Sequence, residues 1–210
     1  MTVRRRFLLA PSFARLIRRE RGGPRHVEGF FPQQPERSAW VRLEEDRGLL
    51  VLTTASPDGE VEDETEIPGA QAQALLAACA GAVDYTRTIL PLGDRHVLVD
   101  EIPRPGVLHL VTVAFATEAE ARGFGPPEWF GPEVTGDPRY THRSIALRGL
   151  DKVPEIPLSD AALNRLIDAL DTRVPAPAQT RGDAVGVNLD EIEEAMLRDM
   201  ARIRPKGTPA

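Results

Sequence analysis

The chain has 210 residues, 41% hydrophobic and 28% charged, with a formal net charge of -6. That length fits one domain with an appendage, and that charge excludes a protein that coats nucleic acid over its whole surface. No apolar run reaches the ~20 residues of a membrane-spanning helix, and the single cysteine, Cys79, excludes an internal disulfide framework. A reducing, cytoplasmic setting with no membrane partner and no nucleic acid is therefore expected.

The opening is rich in arginine, with residues 4, 5, 6, 15, 18, 19, 21 and 25 all of that type. Val3, Arg5 and Phe7 alternate with Arg4 and Arg6, which predicts a strand over residues 2–9 with two unlike faces rather than a transit peptide. A short helix follows over 12–21, with Phe13, Leu16 and Ile17 on one side. Residues 26–31 read as extended. A strand from Trp40 to Leu43 turns at Asp46-Arg47-Gly48 into a second over 49–54. Pro57-Asp58-Gly59 turns that strand into a third, over 60–68, where Glu60, Glu62, Glu64 and Glu66 share one face by period-two geometry. Residues 70–80 are Ala/Leu-rich and helical, and Cys79 there reads as a small hydrophobe. Three strands are predicted over 84–90, 95–102 and 107–115, then a helix over 117–123. Many short strands at regular spacing with few helices predict a closed antiparallel barrel.

Beyond Leu150 the pattern becomes helical. Ser159 can cap a helix whose Leu163, Leu166, Ile167 and Leu170 form one stripe. A linker follows over 174–187, and Asn188 can cap a final helix. The expected division is a barrel over 1–150 and a helical extension over 151–210. Those helices either pack on the barrel or join two copies as a homodimer.

The stretch Pro127-Glu128-Trp129-Phe130-Gly131-Pro132-Glu133-Val134-Thr135-Gly136-Asp137-Pro138-Arg139-Tyr140, with the opening Thr2-Val3-Arg4-Arg5-Arg6-Phe7-Leu8-Leu9, resembles the CYTH family, also called triphosphate tunnel metalloenzymes. The resemblance covers about residues 1–147. It implies an α+β fold: an eight-stranded antiparallel tunnel barrel with flanking helices and a C-terminal helical extension. It also implies a lumen in which Arg and Lys bind triphosphate oxygens while Glu and Asp hold a divalent metal.

Carried over residue by residue, the pattern is half kept. The family's two opening glutamates fall on Thr2 and Arg4, and its lysine on Arg6. Its next Arg-x-Arg falls on Arg42 and Glu44, a later lysine on Ala55, and a Lys-x-Arg pair on Tyr85 and Arg87. Glu64 and Glu66 keep a Glu-x-Glu strand, Asp100 keeps an aspartate with His96 near the tryptophan position, and the last Glu-x-Glu falls on Thr112 and Ala114. The implied phosphate-binding residues are Arg4, Arg6, Arg42 and Arg87. The residual metal ligands are Glu64, Glu66 and Asp100, and no confident catalytic residue remains.

The expected function is thus a degenerate member that binds a triphosphate, polyphosphate or nucleotide anion, with metal-dependent hydrolysis impaired or absent. No cofactor is required on that reading; Mg²⁺ or Mn²⁺ serves only if activity survives. Two alternatives stand beside it. One is an active triphosphatase acting on tripolyphosphate, thiamine triphosphate or nucleoside triphosphates, or an adenylate cyclase-like enzyme. The other is a protein-interaction scaffold in which Arg4 and Arg6 pair with Glu64 and Glu66 and neutralise the tunnel, since buried charge must be paired.

Overall fold

The computed structural model describes residues 3–32, 34, 37–56, 59–150 and 152–171. The expected helix from Asn188 and the linker before it lie outside the described residues. So does Thr2. Eight strands form one antiparallel sheet: β1 (Val3–Leu8), β2 (Arg25–Phe30), β3 (Arg37–Glu44), β4 (Arg47–Ser56), β5 (Gly59–Pro68), β6 (Gly81–Leu92), β7 (Arg95–Arg104) and β8 (Leu108–Phe115). Their order is β1-β8-β7-β6-β2-β3-β4-β5. Among the described residues five α-helices accompany them: α1 (Pro11–Arg21), α2 (Gly69–Leu76), α3 (Glu118–Gly123), α4 (His142–Arg148) and α5 (Asp160–Asp171). None of these helices is long and apolar enough to cross a membrane.

Alternation along each strand sorts the side chains onto two faces. On the outer face Phe7, Val97, Val99, Val111, Val113 and Phe115 pack beneath Phe13 and Ile17 of α1. Trp129 and Phe130 join this core, Phe130 lying 5.0 Å from the Phe7 ring. Helix α5 docks here too through Ala162 and Leu166. Of its apolar stripe Leu166 is fully buried and Leu170 partly, whereas Leu163 and Ile167 stay exposed. Helix α2 lies against β3 and β4, close enough that a Cβ on Gly48 would sit 2.5 Å from the Ala72 Cβ. Glycine is what permits that approach.

The inner face holds a second core at one end. Leu8, Phe30, Val83, Tyr85, Ile102, Leu108 and Leu110 pack against Tyr140 and against Ile145 of α4. Helix α4 thus plugs that end. The sequence reading had no element here; Thr141 caps the helix by accepting from the Ser144 amide.

The eight antiparallel strands match expectation, but the sheet is not closed by hydrogen bonds among the described residues: β1 and β5 are its two edges. The β1 edge is already occupied. The Leu8 amide donates to the Pro132 carbonyl, Gly131 donates to Leu8, and Val134 donates to Arg6. The Arg6 amide donates to Thr135 Oγ1. Once these groups are satisfied, β1 has little left to offer another strand. Glu133 anchors this wrap through an ion pair to Arg5 at 2.6 Å.

Candidate functional site

Strand register places the site residues together, because paired residues of antiparallel strands point to the same face. Arg4 lies opposite Ala114 and Arg6 opposite Thr112. Thr112 lies opposite Leu98, which shares its face with Asp100, and Asp100 lies opposite Arg87. Tyr85 lies opposite His26, Glu28 opposite Arg42, Arg42 opposite Leu49 and Leu49 opposite Glu66. Arg4, Arg6, Arg42, Arg87, Glu64, Glu66 and Asp100 therefore share the inner face.

They do not share one environment. At the plugged end Arg87 grips Asp100 with two bonds, at 2.7 and 2.8 Å. Burial works against the Arg87 charge, but those bonds outweigh it and hold the guanidinium protonated above its ordinary range. Its guanidinium also lies over the Tyr85 ring, 5.0 Å from the centroid. Beside this pair sits a carboxylate that sequence reasoning left unassigned. Glu28, only 7% exposed, accepts from the Tyr85 hydroxyl at 2.6 Å and meets His142 Nδ1 at 2.8 Å. The other ring nitrogen of His142 is 3.7 Å from Asp100. Burial would raise the Glu28 pKa, yet the bonds from His142 and Tyr85 and the nearby Arg87 bring it down to about 2. Burial and the Glu28 charge in turn push the Tyr85 hydroxyl up. His26 stacks on Tyr85 at 5.0 Å, and burial lowers its pKa. Both its ring nitrogens are buried without a hydrogen bond; Nδ1 lies 3.3 Å from Glu44 but outside bonding geometry.

Three cations of this face lack a carboxylate partner among the described residues. Arg6 donates to the Tyr140 carbonyl at 2.9 Å and forms no ion pair. Burial lowers its pKa most; Asp100 opposes that, and repulsion from Arg4 and Arg87 adds to it. Arg4 is exposed one alternation from Arg6. Arg42 has only the Trp40 ring, 6.0 Å from its guanidinium. The proposed pairing of Arg4 and Arg6 with Glu64 and Glu66 is not formed. Glu66 instead pairs with Arg47 at 2.6 Å, both well exposed, and Glu64 is exposed on edge strand β5.

A divalent cation shared with a triphosphate needs about two protein carboxylates converging on it. The donors here fit that poorly. Asp100 is held on both oxygens by Arg87, and Glu28 is held by Tyr85 and His142. Glu64 and Glu66 lie exposed on edge strand β5, Glu66 with one oxygen on Arg47, and β8 offers Thr112 and Ala114 beside the arginines of β1. Among the described residues no group of three or more His, Cys, Asp or Glu is placed to hold a metal ion. What the face can do is hold an anion: Arg4 and Arg6 on β1 and Arg42 on β3 face the same way, each a rigid fork that stays charged.

The sequence placed the arginines correctly on one face but missed Glu28, His26 and His142. Period-two alternation of His26, Glu28 and Phe30 was the available signal. For His142 the only signal was a seven-residue helix with one fully buried side chain, Ile145.

No family model matches the chain. An inorganic triphosphatase from Nitrosomonas europaea is 36% identical over 118 residues, spanning 54% of this chain and 78% of its own length. A solved structure of an inorganic triphosphatase superposes with a TM-score of 0.55 at 27% identity, covering 73% of this chain and 97% of the other. A second solved structure of that same protein, described as hypothetical, gives the same score and identity over 75% of this chain and 100% of the other.

Proposed function

The chain belongs to the CYTH family, and on that premise we propose that it binds a triphosphate-bearing anion on the inner face of its sheet, with metal-dependent hydrolysis impaired. One observation carries this reading. Arg4, Arg6 and Arg42 share the inner face and none has a carboxylate partner among the described residues, while the buried acids Glu28 and Asp100 are already matched. A linear triphosphate carries several negative charges at neutral pH, and guanidinium forks bind its oxygens two at a time. Burial disfavours the Arg6 charge more than its neighbours do, and a bound anion would offset that cost. The relatives point to the same class of compound, since two of them are described as inorganic triphosphatases.

Hydrolysis is a separate matter. Phosphoryl transfer in a metal site relies on cations that neutralise charge on the group in flight. The acids that would hold such cations are engaged elsewhere or lie exposed on β5. The phosphate-binding role therefore rests on Arg4, Arg6 and Arg42, and Arg87 serves mainly to hold Asp100.

Calorimetric titration with tripolyphosphate, run beside a phosphate-release assay with Mg²⁺ or Mn²⁺, tests this. Saturable binding is expected, with turnover well below the ~1 s⁻¹ at the low end of ordinary enzymes. Arg6→Ala and Arg42→Ala should each weaken binding about tenfold, the worth of one charge-assisted bond. Turnover at or above ~1 s⁻¹ would establish the active triphosphatase instead. No binding by either method would leave the protein-interaction scaffold.

A further inference from the structure

We infer that the anion is taken up free of divalent metal, with the Arg4 guanidinium supplying the positive charge that a cation would otherwise bring. The inference rests on the reading that the inner face binds a triphosphate, and adds what form of the ligand it selects.

Three observations converge. Arg4 stands on the inner face of β1, opposite Ala114 and one alternation from Arg6, where the family resemblance calls for a carboxylate. It has no hydrogen bond or ion pair with any described residue, so it is not spent on the fold. The acids of the same face are poorly placed to share a metal: Asp100 is held on both oxygens by Arg87, Glu28 by Tyr85 and His142, and Glu64 and Glu66 lie exposed on β5, where Glu66 has one oxygen on Arg47. Arg4 and Arg6 together thus present two guanidiniums on one strand without an ion pair among the described residues, and a bound anion would offset the repulsion between them.

The chemistry sets the sign of the metal effect. Mg²⁺ in solution binds the same phosphate oxygens that the guanidiniums need. A site that uses Mg²⁺ holds its ligand more tightly as Mg²⁺ is added. A site that uses Arg4 in place of the metal holds it less tightly, because the cation and the arginines compete and the complexed ligand carries less charge. Arginine suits the role because it never deprotonates near neutral pH and reaches two oxygens at once.

The test is calorimetric titration of the full chain with sodium tripolyphosphate, first in EDTA and then with Mg²⁺ in excess over the ligand. The wild type should bind in EDTA and bind more weakly in Mg²⁺. Arg4→Glu should lose about tenfold to a hundredfold in EDTA, the range for a bond to a charged group. Arg4→Lys keeps the charge but not the fork and should fall between. Thermal melts of each variant without ligand confirm that it is folded. Binding that needs Mg²⁺, or that tightens with it, overturns the metal-free inference while sparing the binding site. No binding in either buffer overturns the binding site itself and this inference with it. An Arg4→Glu affinity equal to wild type in EDTA also overturns it, by showing that Arg4 does not touch the ligand.

Discussion

Glu28 shows how a single residue couples the fold to the site. Its carboxylate is the meeting point of Tyr85 from β6 and His142 from α4. Its pKa falls from an ordinary 4.5 to about 2, so its stabilising contribution is fully present above pH 4.5 and is lost as the pH falls towards 2. A shift of that size corresponds to about 3 kcal/mol at neutral pH. Glu28→Gln should therefore unfold more easily at pH 7 and lose much of the wild type's pH dependence between those two values, as read from urea titrations across the acid range. A melt that still falls as steeply with acid would place the acid sensitivity elsewhere. The Arg87–Asp100 pair makes a second such prediction. Asp100 is 2% exposed, so Arg87→Met leaves a buried charge whose remaining ion-pair contact among the described residues is His142 at 3.7 Å. That should cost about 3–5 kcal/mol. The double variant Arg87→Met with Asp100→Leu should recover most of it, because the unpaired buried charge, not the loss of the bond, is the larger penalty. Equal instability of the single and double variants would refute that account.

At the scale of elements, two segments decide what the sheet can be. The stretch around Gly131–Thr135 hydrogen-bonds along the free edge of β1 and so takes the place a ninth partner or β5 would need. Helix α5 then covers the outer face, its Leu166 wholly buried against the core that contains α1. This second contact shows that residues beyond Leu150 add to the main hydrophobic core. Leu166→Ala should cost about 2–5 kcal/mol through the cavity it leaves. With ~2–4 °C lost per kcal/mol for a domain of this size, the melting point should drop by roughly 5 °C or more. The exposed neighbour Leu163→Ala is the matched comparison and should shift the melt by far less. If the two variants melt alike, α5 is not docked as described.

For the whole molecule, charge is distributed by face and by end. The outer face is an apolar layer under helices α1, α2 and α5, with ion pairs such as Arg25–Asp84 and Arg95–Glu120 at its margins. The inner face is apolar at the end plugged by α4, then carries a self-matched polar layer of Glu28, Tyr85, His142, Arg87 and Asp100, and then unpaired arginines. This grading explains how a protein with a net charge of -6 can present a cationic inner site. Glutamates collect on β5, and among the described residues none of them forms an ion pair with Arg4 or Arg6.

Alternation along β1 was enough, from sequence alone, to put Arg4 and Arg6 on one face and Phe7 on the other. Period two likewise put Glu64 and Glu66 on one face of their own strand; that Arg42, Arg87 and Asp100 share a surface with them was implied by the family resemblance and is set by the strand register. The Trp129–Tyr140 stretch was equally legible, since its residue types are specific in themselves. Which charges would neutralise one another was not legible. Arg87 finds Asp100 only through the β6–β7 register, and Glu28 finds His142 across 114 positions of chain. Whether the sheet would close was decided in the same way, by Gly131–Thr135 hydrogen-bonding along the β1 edge. Periodicity is a local property that each segment carries with it, whereas pairing depends on which distant segments the folded core brings within hydrogen-bonding distance.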